Sequence, residues 1–417
     1  MTMYDVAKGY ELAKAFYAQY GVDVDQAIAR CNATPISMHC WQGDDVNGFE
    51  QKDGALTGGI QTTGNYPGKA QTPAQLRADI AFAAKFVPGA KKVNIHASYL
   101  EADHFVDRNE IEPAHFANWA DWAVEKGFGL DFNPTFFSHP KAENGTLSSA
   151  DADIRAFWVE HDKRCRRIGA YFAQRTGQPC VINHWTPDGS KEVPVDTLAP
   201  RLRMKASYDE IFAEDAPGVV DAVESKLFGI GLEAYTVGSN EFCVGYAMSQ
   251  PNVLCTLDTG HYHPTEVVSA KMSAILTFKD KLLLHVSRPV RWDSDHVVAF
   301  DDETRAIMEE IVRMNALDRV YIATDYFDAS INRIAAWVIG LRNTRKALLE
   351  ALLEPVDTLK ALENAGDVTA RLAFTQEFKA QPFALVWDYY CAQQNAGVGL
   401  TWLDEVRKYE REVLAQR

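Results

Sequence analysis

The chain has 417 residues, and its 57 acidic and 42 basic side chains give a formal net charge of −15 at pH 7. Hydrophobic residues make up 47% of the sequence and charged residues 24%, which is the composition of a folded globular protein rather than a disordered chain. The negative charge argues against nucleic acid as a partner, because proteins that bind phosphate backbones need a basic face. Small neutral substrates and divalent cations remain open as ligands.

The cysteines and the N-terminal segment indicate the cellular compartment. Seven cysteines are scattered along the chain without a Cys-x-x-Cys pair, so a zinc knuckle or a thioredoxin-like motif has no support. An odd, scattered set is typical of reduced thiols in a reducing compartment. Residues 4–17 have the pattern of an amphipathic helix rather than of a signal peptide, and no run reaches the roughly 18 apolar residues of a membrane helix. We therefore expect a cytoplasmic protein with no membrane partner.

Eight short apolar runs alternate with helical patterns over most of the chain. Each run is rich in Val, Ile, Leu and Phe and is closed by polar or turn residues. Continuous hydrophobicity of this kind is typical of strands that are buried on both faces of a parallel sheet. The predicted strands are residues 36–41, 92–98, 128–133, 180–185, 219–226, 253–260, 281–287 and 319–327.

Helical patterns lie between the predicted strands. Thr72, Pro73 and Gln75 form the N-terminal capping pattern of a helix that ends at Pro88 and Gly89. Further helices are predicted over residues 113–126, with Gly127 just past the end, and over residues 151–175, 264–275, 303–315 and 331–353. Eight strand–helix units predict an α/β fold of the closed (β/α)8 TIM-barrel type, and an open, doubly wound sheet is the alternative.

Residues 354–417 continue with helical patterns and contain no further strand pattern. We therefore predict a (β/α)8 barrel catalytic domain with its N-terminal helix over residues 1–353. Residues 354–417 would form a C-terminal helical extension that either covers the barrel or joins subunits, and we expect it to contribute to oligomerisation.

A polar residue closes each predicted strand. In a barrel the C-terminal ends of the strands converge on one face, and that face holds the active site. One such residue alone is more often a structural hydrogen-bonding group, but eight strands that all end this way indicate a functional site. The residues are His39, His96, Asp131, Asn183 with His184, Glu224, Asp258, His285 and Asp325.

The last four of these strands end in three carboxylates and one imidazole. Carboxylates brought together without a cation would repel each other and take up protons. A divalent cation resolves this conflict, and oxygen ligands with one nitrogen suit Mg²⁺ or Mn²⁺. The alternative is a set of separate ion pairs with Lys226, Arg288 or Arg291. The predicted metal ligands are Glu224, Asp258, His285 and Asp325.

A second group of candidate ligands lies beside the first in the sequence. His261 follows Asp258 by three residues, and Asp293 and Asp295 follow the seventh strand. These residues could hold a second ion near the first, and a pair of ions would bind vicinal oxygens and polarise a carbonyl. The alternative for Asp293 and Asp295 is a solvated acidic loop.

Lys226 and several aromatic residues are candidates for contacts with a substrate. Lys226 shares a strand face with Glu224, because side chains alternate with a period of two, so it either binds a substrate oxygen or neutralises the carboxylates. Aromatic side chains near strand ends could form an apolar wall for a sugar, although most aromatic residues of a barrel belong to its core. These aromatic residues are Trp41, Phe132, Phe136 and Trp185.

Seven long segments of the sequence resemble L-rhamnose isomerase. The resemblance runs from about residue 8 to the C-terminus. The segments are MHCWQGDD from Met38, TGGIQTTGNYPGK from Thr57, ESKLFGIG from Glu224, YTVGSNEF from Tyr235, LDTGHYHPTE from Leu257, HVSRPVRWDSDHVV from His285 and FDASINRIAAWVIG from Phe327. One departure near the predicted site is the triplet His184-Trp185-Thr186, where the family pattern is more apolar. This change can alter sugar specificity.

The resemblance implies a barrel of the xylose-isomerase type, a homotetramer, and the interconversion of L-rhamnose and L-rhamnulose in L-rhamnose catabolism. It also implies two divalent ions per subunit, usually Mn²⁺, with Mg²⁺ or Co²⁺ as alternatives. By the same resemblance, the catalytic ion maps onto His261, Asp293 and Asp295. The structural ion maps onto Glu224, Asp258, His285 and Asp325.

The expected chemistry is a metal-assisted 1,2-hydride shift between C1 and C2 of the open-chain sugar, with a cis-enediol route as the competitor. In this hypothesis Lys226 binds O1 or O2, and Asp293 or Asp325 directs the removal of the O2 proton. His96 contacts O5 during ring opening, while Trp41 and Trp185 line the sugar. A metal aldolase would need a phosphate site, an endonuclease a basic groove, and a sugar-binding protein would not need two metal clusters.

Overall fold

The computed structural model describes residues 4–50, 64–226, 234–263, 265–290 and 295–417. Within these residues, eight strands pair in parallel in chain order and close into one barrel. The strands are β1 Ile36–His39, β2 Lys91–His96, β3 Gly129–Asn133, β4 Cys180–Trp185, β5 Val219–Glu224, β6 Val253–Asp258, β7 Leu282–Val286 and β8 Val320–Thr324. The predicted (β/α)8 barrel is confirmed, and the doubly wound alternative is excluded.

Closure of the sheet rests on the first and last strands. Ile36 of β1 pairs with Lys91 of β2 on one side and with Ile322 of β8 on the other. A closed sheet has no free edge, so every strand is hydrogen-bonded on both sides and buried. This burial explains why the strands are continuous apolar runs rather than alternating ones.

Several strands end earlier than the sequence predicts. Trp41 lies in a turn of 3₁₀ helix over Cys40–Gln42, directly after β1. Lys226, Gly260 and Phe327 also lie beyond the last residue of their strands. The polar ends of the predicted strands therefore belong to the loops at the mouth of the barrel, where the chain leaves the ladder of backbone hydrogen bonds.

Helices surround the barrel and continue beyond it. In the described residues, the helices before the extension are α1 Val6–Ala18, α2 Val24–Ala33, α3 Pro73–Ala84, α4 Ala117–Lys126, α5 Ala152–Thr176, α6 Leu198–Phe212, α7 Asn240–Ser249, α8 Ser269–Phe278, α9 Asp302–Arg313 and α10 Arg333–Leu352. Helices α2, α6 and α7 are not predicted from the sequence. In α6 the exposed Leu198 and Leu202 obscure the amphipathic pattern. None of the described helices is both long enough and apolar enough to span a bilayer.

The predicted capping pattern of α3 is present in the structure. The Thr72 hydroxyl accepts a hydrogen bond from the Gln75 backbone N–H at 3.2 Å. The Gln75 side chain reaches back and accepts from the backbone N–H of Gln71 at 2.8 Å. Pro73 occupies the first helical position, where a missing N–H has no cost.

Residues 354–417 form helices that pack on the outside of the barrel. They are α11 Val356–Asn364, α12 Val368–Phe378, α13 Phe383–Gln393 and α14 Thr401–Glu412. Tyr389 of α13 stacks on Tyr10 of α1 with ring centroids 3.7 Å apart. Arg342 of α10 lies over the ring of Trp387 and donates to the backbone carbonyl of Ala396. The division of the chain at residue 354 stays a prediction.

The last residue of the chain forms a buried ion pair with α3. The Arg417 guanidinium donates to both carboxylate oxygens of Asp79, at 2.5 and 2.9 Å, and the Tyr409 hydroxyl donates to the same carboxylate at 2.8 Å. The side chains of Arg417 and Asp79 are only 5% and 3% exposed. Removal of the cation would leave a buried carboxylate with one neutral donor.

We predict that the Arg417→Ala substitution lowers the free energy of unfolding by about 3 kcal/mol, because it leaves Asp79 without its charge partner. Urea unfolding followed by circular dichroism measures this change. The matched control is Arg371→Ala, which breaks an exposed ion pair with Glu363 and should cost less than about 1 kcal/mol. Equal losses in the two variants would contradict the prediction.

Candidate metal centre

Four of the residues predicted as metal ligands meet at the mouth of the barrel. Each of them offers one ligand atom, and these atoms all lie within 4.8 Å of one another. The strand register accounts for the meeting, since Asp258 of β6 pairs directly with His285 of β7. Glu224 of β5 pairs with Thr256, two residues before Asp258 and on the same face of β6. The four residues are Glu224, Asp258, His285 and Asp325.

His285 stands between the three carboxylates. Its Nδ1 atom lies 3.6 Å from Glu224 Oε2, 3.6 Å from Asp258 Oδ2 and 3.4 Å from Asp325 Oδ2. Within the part of the chain that the structure describes, both ring nitrogens of His285 and the Asp258 Oδ2 atom lack a hydrogen-bond partner. Unpartnered buried polar atoms are costly, and a divalent cation bound between them would satisfy them. The residues present therefore fit a metal ion.

The pKa shifts of the four cluster residues also indicate a local excess of negative charge. Burial alone would lower the pKa of His285, but the facing carboxylates, Glu224 first, outweigh burial and raise it well above its usual value. Burial raises the pKa of Asp258. For Glu224 and Asp325, the nearby imidazoles outweigh burial and lower the pKa. Three carboxylates thus face a single central imidazole, and this local excess of negative charge favours a bound cation.

Each carboxylate of the cluster accepts a hydrogen bond from one neutral N–H group. The Asn183 side-chain amide donates to Glu224 Oε2. The Gly260 backbone N–H donates to Asp258 Oδ1 at 2.6 Å, and the Trp41 indole N–H donates to Asp325 Oδ1 at 3.0 Å.

Two of these donors have roles that the sequence does not reveal. The sequence suggests Trp41 for an apolar wall but does not reveal that its indole nitrogen also donates to a carboxylate. Asn183 is visible in the sequence only as one of the polar residues at the end of a strand.

His261 and Lys226 extend the cluster on one side. The His261 Nδ1 atom lies 2.9 Å from Glu224 Oε1, and the Lys226 ammonium group donates to His261 Nε2 at 2.9 Å. The same ammonium group lies 5.2 Å from the ring centroid of Trp185, within the range of a cation–π contact. The structure therefore brings three of the predicted site residues, His261, Lys226 and Trp185, together beside Glu224.

The remaining members of the second predicted group are described only in part. Asp293 lies outside the described residues. Asp295 is described, and its backbone has a φ of +45°. This is the left-handed region, which is strained for a residue with a side chain and occurs most often in turns and at functional sites.

His96 lies in an aromatic wall on the opposite side of the mouth. Its ring centroid is 4.8 Å from that of Trp41 and 5.5 Å from that of Phe137, and Phe137 in turn contacts Trp185 at 5.8 Å. Its Nδ1 atom is 3.2 Å from the Thr135 hydroxyl oxygen. Burial lowers the pKa of His96 to about 4, so the imidazole is neutral near pH 7.

The composition of this wall differs from the sequence-based expectation. Phe132 packs against Phe116 and Phe172 on the helical side of the sheet, and Phe136 packs against Trp158 of α5. Phe137 takes the place expected for these two residues. Phe132 lies inside β3, where its ring packs against those of Phe116 and Phe172. The sequence does not distinguish Phe136 from Phe137, because β3 ends at Asn133 and the alternation of strand faces no longer applies beyond it.

Comparisons with known proteins identify the family of this chain. The family model for L-rhamnose isomerase (RhaA) matches residues 4–417. An L-rhamnose isomerase of Mannheimia succiniciproducens is 61% identical over 417 residues and covers 100% of both chains. An L-rhamnose isomerase of Yersinia pseudotuberculosis is 57% identical over 415 residues and covers 99% of both.

This chain belongs to the L-rhamnose isomerase family. It is therefore an aldose–ketose isomerase. A solved structure of an L-ribulose 3-epimerase gives a TM-score of 0.49 at 13% identity, and the match covers 78% of this chain and 97% of that chain. The barrel fold is assigned from the strand pairing of this chain itself.

His184 is part of a buried network of charges. Its Nδ1 atom is 2.9 Å from Asp162 Oδ2 and its Nε2 atom is 3.0 Å from Asp221 Oδ1. Carboxylate oxygens only accept, so both ring nitrogens carry hydrogen and the imidazole is cationic. Arg166 donates to Asp221 at 3.0 Å and balances the second carboxylate. The buried charge of His184 is thus balanced by Asp162 of α5 and Asp221 of β5.

The pKa of His184 reflects these partners. Burial alone would lower it, but Asp162 and Asp221 outweigh burial and raise it from 6.5 to about 9. The interaction therefore stabilises the fold fully below the unfolded pKa of about 6.5, and the contribution is lost as the pH rises through about 9.

We predict that the melting temperature falls between about pH 7 and pH 10 as His184 loses its proton. The His184→Gln variant should melt at a lower temperature at pH 7 and should lose less of its melting temperature over the same interval. Differential scanning calorimetry measures both effects. The control is His104→Gln, which changes an exposed pair with Asp103. The prediction fails if the His184→Gln and wild-type curves are parallel.

Proposed function

We propose that the barrel mouth isomerises L-rhamnose and L-rhamnulose with the help of two divalent ions, and that a hydride moves between C1 and C2. The observation that supports this proposal is the buried cluster with unpartnered ligand atoms at the mouth of a barrel that belongs to a sugar isomerase family. A sugar isomerase that uses ions in this way needs ligand groups aimed at a common centre, and the described residues supply four of them.

The chain offers a ligand set for each ion. Glu224, Asp258, His285 and Asp325 would hold the structural ion, and His261, Asp293 and Asp295 would hold the catalytic ion. Mn²⁺ is the proposed metal, with Mg²⁺ or Co²⁺ as alternatives, because oxygen ligands with one imidazole suit these ions. When bound, such ions hold adjacent sugar oxygens and stabilise the negative charge that develops on them.

A hydride shift requires side chains that direct the removal of the O2 proton and that donate a hydrogen bond to O1 or O2. In the aldose-to-ketose direction, the C2–H bond breaks and the hydrogen moves with its electron pair to C1. O2 loses a proton, which Asp293 or Asp325 would direct away, and O1 gains a proton. The Lys226 ammonium group, placed between His261 and Trp185, would donate a hydrogen bond to O1 or O2.

The aromatic wall would position the sugar. The His96 imidazole is neutral near pH 7, and it would contact the ring oxygen O5 while the ring opens. Trp185 presents an apolar face beside Lys226. Trp41 contributes its ring to the same wall, although its indole nitrogen is engaged with Asp325.

We also propose that the chain forms a homotetramer in the cytoplasm. Four large apolar side chains that lie near one another in the sequence are exposed, and exposed apolar surface of this kind supports association. Seven buried cysteines without disulfides are typical of a reducing compartment. The four exposed apolar residues are Val193, Val195, Leu198 and Leu202.

We predict that the protein converts L-rhamnose to the ketose with Mn²⁺, loses this activity after treatment with a chelator, and regains it when Mn²⁺ is added back. Asp258→Asn should lower kcat/KM by about 100-fold or more, because loss of a ligand weakens charge stabilisation by several kcal/mol. A colorimetric ketose assay measures both effects. The control is Asp280→Asn, which changes an exposed aspartate. Full activity in the chelated protein would contradict the proposal.

The route of the hydrogen is tested with L-rhamnose that carries deuterium at C2. A hydride shift keeps the deuterium within the sugar, so the L-rhamnulose should carry it at C1. An enediol route passes the hydrogen to a base that exchanges with water. Mass spectrometry of the product distinguishes the two routes, and substantial loss of deuterium to the solvent would exclude the hydride shift.

A further inference from the structure

Glu224 is held by a relay of two neutral side chains. The Asn183 amide nitrogen donates to Glu224 Oε2, and the Thr256 hydroxyl donates to the Asn183 amide oxygen at 2.8 Å. All three side chains are buried, with Asn183 at 3% and Thr256 at 1% exposure. The relay thus crosses three neighbouring strands inside the barrel.

The strand register places the relay just inside the mouth. Thr256 of β6 is the direct pairing partner of Glu224 of β5. On the other side of β5, Glu224 pairs with Trp185, and Asn183 precedes Trp185 by two residues on the same face of β4. The three side chains are therefore brought together by the sheet itself, which is the most rigid part of the fold.

The Glu224 carboxylate and the Thr256 hydroxyl favour the same orientation of the Asn183 amide, because the carboxylate only accepts and the hydroxyl donates to the amide oxygen. A hydroxyl that donates to the amide oxygen leaves the amide nitrogen on the side of Glu224. If the amide turned over, its oxygen would face the carboxylate and the two acceptors would repel. The relay therefore selects one orientation of Asn183 and, through it, one orientation of the Glu224 side chain.

The neutrality of the relay matters for a cation site. A lysine or arginine in the place of Asn183 would hold Glu224 equally well, but its charge would cancel the negative charge that attracts a metal ion. An amide holds one carboxylate oxygen and leaves the charge of the cluster intact. Partners of this kind, which orient metal ligands without touching the metal, strongly affect affinity in other metalloproteins.

We propose that Asn183 and Thr256 are positioning residues that pre-orient Glu224 for metal binding. This inference rests on the proposed function, because it takes Glu224 to be a metal ligand. The relay acts through Glu224 alone, so its loss weakens binding of the ion, and excess metal offsets the loss by mass action.

The test compares Thr256→Val with Thr256→Ser, since valine has the shape of threonine without its hydroxyl and serine keeps the hydroxyl. Mn²⁺ is titrated into the metal-free full-length protein, and the signal of free Mn²⁺ in electron paramagnetic resonance gives the dissociation constant. Thr256→Val should bind Mn²⁺ about tenfold or more weakly than the wild type, and Thr256→Ser should bind within a few-fold of it.

A second readout separates positioning from a general loss of structure. The Thr256→Val protein should regain most of its kcat when Mn²⁺ is raised well above the new dissociation constant, and the KM for L-rhamnose should then be unchanged. Far-UV circular dichroism confirms that each variant is folded.

The outcomes distinguish the relay from the metal site itself. If the wild type binds no Mn²⁺, the proposed metal site is overturned and the relay with it. If the wild type binds Mn²⁺ and Thr256→Val binds equally well, only the relay is overturned. Equal weakening in Thr256→Val and Thr256→Ser also overturns the relay, because the hydroxyl would then not be the group that matters.

Discussion

The mouth of the barrel is organised around the repulsion between three carboxylates, of which Glu224 and Asp258 are buried and Asp325 is half-buried. Charges of the same sign that are close together and away from water are costly unless a cation lies between them. In this protein the strand register fixes Glu224 and Asp258 on neighbouring strands, and Asp325 follows the next strand but one. Their closeness is imposed by the closed sheet, and the metal site that we propose is the consequence of that constraint.

The barrel interior separates charges that stabilise the fold from charges that are available for chemistry. At the opposite end from the mouth, Lys92 is paired with Asp131, which also accepts from the Ser37 hydroxyl at 2.6 Å. An apolar layer that includes Ala222 and Leu254 lies between this pair and the metal cluster. Lys92 and Asp131 are both hydrogen-bonded. The ring nitrogens of His285, in contrast, have no hydrogen-bond partner within the described residues. Both sites contain charged residues, so residue type does not distinguish them. The difference is that the polar atoms of the Lys92–Asp131 pair are hydrogen-bonded and those of His285 are not, in the part of the chain that the structure describes.

The sequence predicts the barrel and the four-residue cluster because both follow from local patterns. Apolar runs locate the strands, and the residue after each run locates the mouth. Contacts between distant positions leave no such pattern, which is why the donors Trp41 and Asn183, the salt bridges of His184 and the inward placement of Phe137 emerge only from the structure. Asp131 shows the reverse error, since it ends an apolar run in the sequence but lies within β3, paired with Lys92.

The closure of the sheet between β1 and β8 bears on how the protein is made. Ile36 of β1 can pair with Ile322 of β8 only after nearly the whole barrel has been synthesised. Until then, β1 keeps one edge without a hydrogen-bonded neighbour. Asp325, directly after β8, is then the last carboxylate of the cluster to arrive. The set of three carboxylates is therefore complete only when β8 has joined the sheet.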